Sequence, residues 1–176
     1  MATSRTAVPA PASTSWLAPN LLERAIAIGF MLVFAGMLYA MARGWATGGL
    51  AEAGRAPPIV WLHLAVVSIV VGLTPVLLLR RRGDRLHRIL GWTWCIAMYA
   101  SALISLGIRH IGHGRLSGVH VLSFIYILLI PLLMFAARSH RLRTHRGVVV
   151  TALVILLLAG AATFLPPRYL GTWMLE

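Results

Sequence analysis

The sequence predicts an all-α integral membrane protein with five transmembrane helices, the last four of which form a four-helix bundle from two tandem two-helix repeats. Two observations predict the class: 59% of the 176 residues are hydrophobic, and only 11% are charged. Soluble domains contain about twice that share of charged residues. A third observation, the recurrence of His, Pro and His-Arg in each half of the chain, predicts the repeat.

Five apolar segments predict the helices in chain order. Residues 1–20 are rich in Ala, Pro, Ser and Thr without an apolar period, which predicts a disordered cytoplasmic tail. Residues 21–176 follow as a single transmembrane domain. The first apolar run has about 18 residues, more than the core of a signal peptide, so it favours a retained helix. The predicted helices cover residues 25–42, 59–80, 88–108, 117–137 and 147–165.

Arginine supplies all 16 basic residues, and its distribution predicts the orientation. The tail and the loops after the second and fourth helices hold eleven arginines, against five on the opposite side. The positive-inside rule then predicts a cytoplasmic N-terminus and a periplasmic C-terminus in a bacterial inner membrane. These arginines border apolar segments and form no basic face on a folded domain. They therefore indicate lipid headgroups, and not nucleic acid, as partners.

Two shortages disfavour other classes of protein. Cys95 is the only cysteine, so neither a disulfide framework nor a Cys-ligated metal site is expected. Only four residues are acidic, too few for a relay of membrane-embedded carboxylates. A proton-coupled solute transporter is therefore disfavoured.

Histidine, proline and a second histidine recur in the same order in the two halves of the chain. The matching positions are His63, Pro75 and His87 in the first half and His120, Pro131 and His145 in the second, about 57 residues apart. Each half is a hairpin of two helices, so both halves insert the same way and a pseudo-twofold axis along the membrane normal relates them. Equivalent histidines then face each other at the same depth.

Paired inward-facing imidazoles in a four-helix bundle are typical of haem sites, where neutral ring nitrogens supply both axial ligands of iron. We expect His63 and His120 to hold one haem near the outer surface. His87 and His145 are expected to hold a second haem near the cytoplasmic surface. A single transmembrane histidine more often makes an interhelical hydrogen bond, but four at matched depths and repeat positions favour ligation.

Arginines beside the predicted ligands suggest binding sites for the haem propionates. A propionate is a carboxylate, and arginine offers a planar fork of donors that stays charged at a membrane surface. Arg88 and Arg146 are the cytoplasmic candidates, and Arg115 is the outer one. The alternative is that these arginines only fix the topology. Further outer options are Arg55, Arg109 and Arg168.

Three histidines lie outside the repeat. His140 is an alternative to His145 as a ligand, because helix starts inferred from sequence are uncertain by a few residues. His110 and His113, on the outer side, are candidates for lining a substrate or partner site. A solvated loop is the commoner explanation for such a pair.

The placement of His63, His87, His120 and His145 on four consecutive helices resembles the cytochrome b561 family. That resemblance implies two haem b groups, one held by the second and fourth helices and one by the third and fifth. It also implies electron transfer across the membrane between them. The resemblance covers the architecture alone: a sixth helix is missing, His87 and His145 lie shallower, and no ascorbate-binding residue is carried over.

Three segments resemble a second family, bacterial membrane proteins catalogued as domain of unknown function 2306. They are LHRILGW at 86–92, GVHVLSFIYILLIPLLMFAARSHRLRTHR at 118–146 and FLPPRYLG at 164–171. The resemblance extends over residues 58–171, with Pro167 where that family usually has glycine. It implies a membrane location and no established activity.

From these features we expect a di-haem b electron-transfer protein, with quinone or a redox protein as its partner. Bis-histidine iron has no open coordination position, so oxygen chemistry at the metal is not expected. Two alternatives stay open. One is a haem-free scaffold or accessory subunit of a larger membrane complex, in which the histidines make packing hydrogen bonds. The other is an enzyme, a quinone- or superoxide-linked oxidoreductase that uses the outer haem and the loop of His110 and His113.

Overall fold

The computed structural model describes residues 19–47, 57–108 and 118–165, and all regular structure in these ranges is helical. Every helix contains a segment long and apolar enough to cross a membrane. For these ranges the predicted all-α class is therefore confirmed, as are five helices long and apolar enough to span a membrane. The helices are α1 (Leu21–Ala46), α2 (Pro58–Leu79), α3 (Arg85–Leu106), α4 (Gly118–Arg138) and α5 (Leu142–Ala162).

Side-chain caps start two of the helices about one turn before the predicted positions. At α1, Asn20 Oδ1 accepts a hydrogen bond from the Glu23 N–H, and Glu23 Oε2 accepts one from the Asn20 N–H, each at 2.9 Å. This reciprocal pair is a capping box. At α3, the Asp84 carboxylate accepts a hydrogen bond from the His87 N–H at 2.6 Å. Because caps are polar, a prediction based on apolar runs misses the first turn.

The turn between α4 and α5 is short, and His140 forms it. His140 has φ 54°, in the left-handed region. The next residue, Arg141, donates its N–H to the Ala136 carbonyl at 3.0 Å, which is the six-residue bond of a Schellman C-cap. α5 then begins at Leu142, five residues before the predicted start. His140 thus ends α4, and its side chain is exposed.

The main helix contacts form a ring, in which each helix packs against its neighbours in sequence and α1 also packs against α5. The sequence assigned α1 to neither repeat, yet it lies between the first helix of one repeat and the last helix of the other. Ile26, Ala27 and Phe30 of α1 are buried in the common core. α1 therefore connects α2 to α5 and closes the ring.

A buried aromatic side chain donates a hydrogen bond within each of the helix pairs α2–α3 and α4–α5. Trp94 Nε1 on α3 donates to Thr74 Oγ1 on α2 at 2.9 Å. The Tyr126 hydroxyl on α4 donates to the Ala152 carbonyl on α5 at 2.5 Å. Both rings add apolar area to the core while their polar atoms find partners, as buried Trp and Tyr usually do. These bonds fix the register of the two hairpins.

Large apolar side chains also cover the outside of the ring. Leu32, Leu128 and Leu158 are each about two-thirds or more exposed, on three different helices. Soluble monomers rarely present apolar surface on this scale, whereas acyl chains cover it at no cost. The outer surface is thus suited to a bilayer.

Candidate histidine sites at the two ends of the helical ring

Consecutive helices run in opposite directions, so the ring gathers different residues at its two ends. We call one end the charged end, defined by Glu23, residues 80–88 and residues 138–146. The opposite end is the neutral end, defined by His63, Ser101, Ser105, His120 and Ser123. His87 and His145 lie at the charged end, in the first turns of α3 and α5. His63 and His120 lie at the neutral end, near the starts of α2 and α4. The predicted pairs therefore share an end of the ring.

Uncharged polar side chains connect the histidines of the neutral end through α3. Ser101 Oγ lies 3.4 Å from His63 Nδ1, within hydrogen-bonding distance. One turn further along α3, Ser105 Oγ accepts a hydrogen bond from Ser123 Oγ of α4 at 3.0 Å. Ser123 lies one turn after His120, and both are only 4% exposed. A series of polar groups thus runs from α2 across α3 to α4.

The histidines of the charged end are close enough to interact electrostatically. His145 Nδ1 lies 3.4 Å from the Leu133 carbonyl oxygen of α4. A carbonyl only accepts, so this contact places the proton on Nδ1 and leaves the Nε2 lone pair available. His87 Nδ1 is buried and has no hydrogen-bond partner among the residues that the structure describes. Burying such an atom costs free energy unless something binds it.

A buried carboxylate links three parts of the charged end, and sequence reasoning missed it. Glu23 is 2% exposed. Its Oε1 accepts a hydrogen bond from Arg146 Nε of α5 at 3.0 Å, and its Oε2 binds the Arg82 guanidinium of the α2–α3 loop. The capping box at Asn20 and Glu23 was the available sequence signal, but it identifies only a helix start.

The predicted propionate-binding arginines differ in their surroundings. Arg146 already binds Glu23, so a propionate would have to share it. Arg88 is exposed, next to His87, and has no described acidic partner. Arg115 lies outside the described residues. The same holds for Arg55, Arg109, Arg168, His110 and His113, and for residues 1–18 of the predicted tail.

A second acid at the charged end, Asp84, is only partly exposed and belongs to a local ion pair. Arg80 Nη2 donates to Asp84 Oδ2 at 2.8 Å. Asp84 also accepts a hydrogen bond from the His87 N–H. Together these two bonds hold the pKa of the Asp84 carboxyl below its ordinary value. Asp84 therefore stays charged at neutral pH and keeps the start of α3 fixed beside His87.

The histidine nitrogens are suited to binding haem iron. The described cavities, however, are not placed to hold the haem ring between the members of a pair. One cavity, about 390 Å³, lies between α3 and α4 and contains none of the histidines. A smaller cavity, about 100 Å³, adjoins His63 between α1, α2 and α5. Neither cavity joins the members of a predicted pair, so a porphyrin would need these helices to separate. Among the described residues no group of three or more His, Cys, Asp or Glu forms a metal site, but haem iron needs only two ligands.

A related protein of known function would help to show what these histidine pairs bind. Searches against family models, curated proteins and solved structures find no match to the chain. The resemblances to the cytochrome b561 family and to the family of domain of unknown function 2306 therefore stay predictions from the sequence.

Proposed function

We propose that this protein is a di-haem b membrane protein that passes single electrons between the two faces of a bacterial inner membrane. The observation that carries the proposal is the location of four histidines in two pairs at opposite ends of one helical ring. Each of the helices α2–α5 supplies one of them. The proposed pairs are His63 with His120 at the neutral end and His87 with His145 at the charged end.

The contacts of the ring nitrogens support their role as ligands. In His145 the carbonyl contact at Nδ1 leaves Nε2 for the metal, and contacts of this kind orient metal-ligating imidazoles. At His63 the group that contacts Nδ1 is Ser101 Oγ, which likewise leaves Nε2 for the metal. At His87 it is Nδ1 itself that is buried without a described partner. Haem iron with two histidine ligands supplies one-electron transfer and has no open position for oxygen.

The chain holds the two pairs apart and supplies cations beside one of them. From His120 to the end of α4 the helix rises about 25 Å, which sets the separation of the two ends. The hydrogen bonds of Trp94 and Tyr126 keep each hairpin in register over that distance. Arg88 is free to bind a propionate at the charged end, while Arg146 would do so only beside Glu23. Arg115 keeps its predicted role at the opposite end.

The proposal includes an orientation and a class of partner. The charged end carries most of the described arginines, so by the positive-inside rule it faces the cytoplasm. A quinone or a redox protein would exchange electrons with the complex at either membrane surface. An enzyme that oxidises or reduces quinone would be one form of this activity.

A haem-free scaffold or accessory subunit is the second candidate function. One observation favours it: neither described cavity joins a histidine pair, and buried side chains fill the middle of the ring. In such a protein His63 and His145 would serve only to make the interhelical contacts described above.

Absorption spectra of single-histidine variants test the proposal. Protein purified from cells supplied with haem precursor should show a Soret band. His63→Ala and His120→Ala should each lose the same haem, about half of the total. His87→Ala and His145→Ala should lose the other, recognised by its midpoint potential in a redox titration. His140→Ala is the matched control, because this exposed histidine lies in the turn beside α5 and should retain both haems.

Two results would overturn the proposal. A colourless wild-type protein with normal helix content would support the scaffold. A different grouping of haem losses among the four variants would refute the ligand pairs. The activity is tested with vesicles that contain the protein and a trapped oxidant. An external electron donor should reduce this oxidant only when both histidine pairs are intact.

A further inference from the structure

An apolar groove runs along the outside of the ring between α3 and α4. Ile96, Tyr99 and Leu103 line it from α3, and Pro131 and Met134 line it from α4. Ile96 and Leu103 are 62% and 48% exposed, so the groove opens toward the surroundings of the ring and not into its core. Its volume, about 390 Å³, lies in the range of small-molecule sites, about 300–1,000 Å³.

The two stripes of residues that line the groove continue to a cation at the charged end. Trp92 precedes Ile96 by one turn on α3, and Arg138 follows Met134 by one turn on α4. Each therefore lies about 6 Å beyond the groove along its helix. The two meet there, with Arg138 Cζ 6.0 Å from the centre of the Trp92 ring. The groove thus ends at a guanidinium held over an interfacial tryptophan.

The charge of Arg138 is not balanced within the described part of the chain. At this end Glu23 binds Arg82 and Arg146, and Asp84 binds Arg80. Arg138 has no acidic partner among the described residues and is exposed. Arg141, in the following turn, is exposed as well and lies over the ring of Phe135, with Cζ 5.9 Å from its centre. This corner of the ring therefore presents cations without anions.

We propose that the α3–α4 groove binds one anionic phospholipid, with an acyl chain between Leu103 and Ile96 and the phosphate at Arg138. An acyl chain fits because the groove is apolar and open to the outside. A phosphate fits because guanidinium groups bind phosphate oxygens through two parallel hydrogen bonds. Trp92 lies where such a lipid changes from apolar to polar, the depth that tryptophan favours in membranes. The site functions whether or not the histidines hold haem.

The chemistry of the site distinguishes this occupant from two others. A quinone has a neutral headgroup, which gains little from an unbalanced guanidinium. A free phosphate or glycerol phosphate gains nothing from the apolar groove. Only an anionic lipid uses both parts of the site.

Binding of defined lipids to the full chain in a neutral detergent tests the proposal. Phosphatidylglycerol and phosphatidylcholine with identical acyl chains are titrated, and native mass spectrometry counts the bound lipid. A detergent micelle has no collective surface charge, so a preference for phosphatidylglycerol reports the site. We expect one phosphatidylglycerol to bind about tenfold more tightly than phosphatidylcholine, a ratio typical of one charge-assisted contact.

Two pairs of variants separate the parts of the site. Arg138→Gln should abolish the preference for phosphatidylglycerol, whereas Arg143→Gln, an exposed arginine on α5 that removes the same charge, should keep it. Ala100→Leu, which fills the groove, should weaken binding of both lipids. Ala25→Leu adds the same bulk to an exposed position on α1 and should leave binding unchanged.

Four results would overturn the proposal. Equal binding of the two lipids, or equal effects of Arg138→Gln and Arg143→Gln, would show that no specific headgroup site exists. Glycerol phosphate that competes as well as the whole lipid would show that the groove takes no part. A neutral quinone that occupies the groove with the same affinity in wild type and Arg138→Gln would identify a quinone site instead.

Discussion

The charged end and the neutral end place polar side chains in an apolar ring by different means. At the charged end one carboxylate, Glu23, binds Arg82 and Arg146 and so joins α1, the α2–α3 loop and α5. At the neutral end the polar contacts are uncharged, such as the Ser123–Ser105 bond between α4 and α3. A buried charge that loses its partner costs several kcal/mol, about three times the loss of a neutral hydrogen bond. The stability of the ring should therefore depend more on the charged end.

The comparison also explains how α1 joins a ring that the sequence assigns to two repeats. α1 has no counterpart in either predicted repeat, so the repeat predicts no contact for it. Glu23 provides one, because its carboxylate contacts residues from both repeats at once. The apolar contacts of Ile26 and Phe30 then extend this attachment along the helix. At the neutral end the Ser101–His63 and Ser123–Ser105 contacts join α2, α3 and α4.

Removing the charge of Glu23 should have the largest effect. Glu23→Gln retains the size of the side chain and an acceptor for the Asn20 N–H but removes the carboxylate that binds Arg82 and Arg146. We expect the free energy of unfolding to fall by about 3 kcal/mol. Most of this loss should come from the more buried Arg82 pair, because the Arg146 side chain is 40% exposed and solvent screens it. Steric trapping or thermal unfolding in bicelles measures the change.

The neighbouring exposed arginine supplies the control for Glu23. Arg24→Gln should change the free energy of unfolding by less than about 0.5 kcal/mol. The double variant Glu23→Gln/Arg82→Gln should lose less than the sum of the single losses, since the two residues form one contact. If Arg24→Gln and Glu23→Gln destabilised the protein equally, the ion cluster would not hold α1.

Removing a neutral hydrogen bond at the opposite end should have a smaller effect. Ser123→Ala deletes the donor to Ser105 Oγ and should lower the free energy of unfolding by about 1 kcal/mol. Added salt should not alter this loss, because neither group is charged. Ser139→Ala, in the exposed turn after α4, is the control and should be neutral. A loss as large as that of Glu23→Gln would contradict the proposed difference between the ends.

The contribution of Asp84 to the pH dependence of stability should be the smallest effect. Because the pKa of Asp84 is lower in the folded chain than its ordinary 3.8, the ionised form contributes stability above that value. This contribution is lost as the pH falls through the folded-state pKa. Asp84→Asn keeps a helix cap but not the ion pair with Arg80, so its stability should decline less in acid. Thermal unfolding between about pH 6 and pH 3 measures the difference. Identical curves for wild type and variant would show that ionised Asp84 contributes no stability.

Features that depend on short stretches of chain could be predicted from the sequence. Hydropathy over about 20 residues predicts five spans, and their alternating direction places His63 with His120 and His87 with His145 at common ends. The starts of α1 and α3 were predicted less well, because Asn20 and Asp84 set them through capping, which hydropathy does not register. His140 is another such case: its left-handed backbone forms the turn that ends α4, and hydropathy does not register such a turn.

Three features follow from the sequence because each depends on neighbours along the chain: the number of helices in the described ranges, their apolar surfaces and the ends at which the histidines lie. Which helices touch depends instead on how the whole chain packs. Glu23 meets Arg82 across 59 residues and Arg146 across 123, and no local pattern encodes such partners. The groove that ends at Arg138 and Trp92 likewise arises only when α3 and α4 lie side by side. Long-range contacts follow from how complete helices pack, since a helix of a given hydropathy can bury any of several faces.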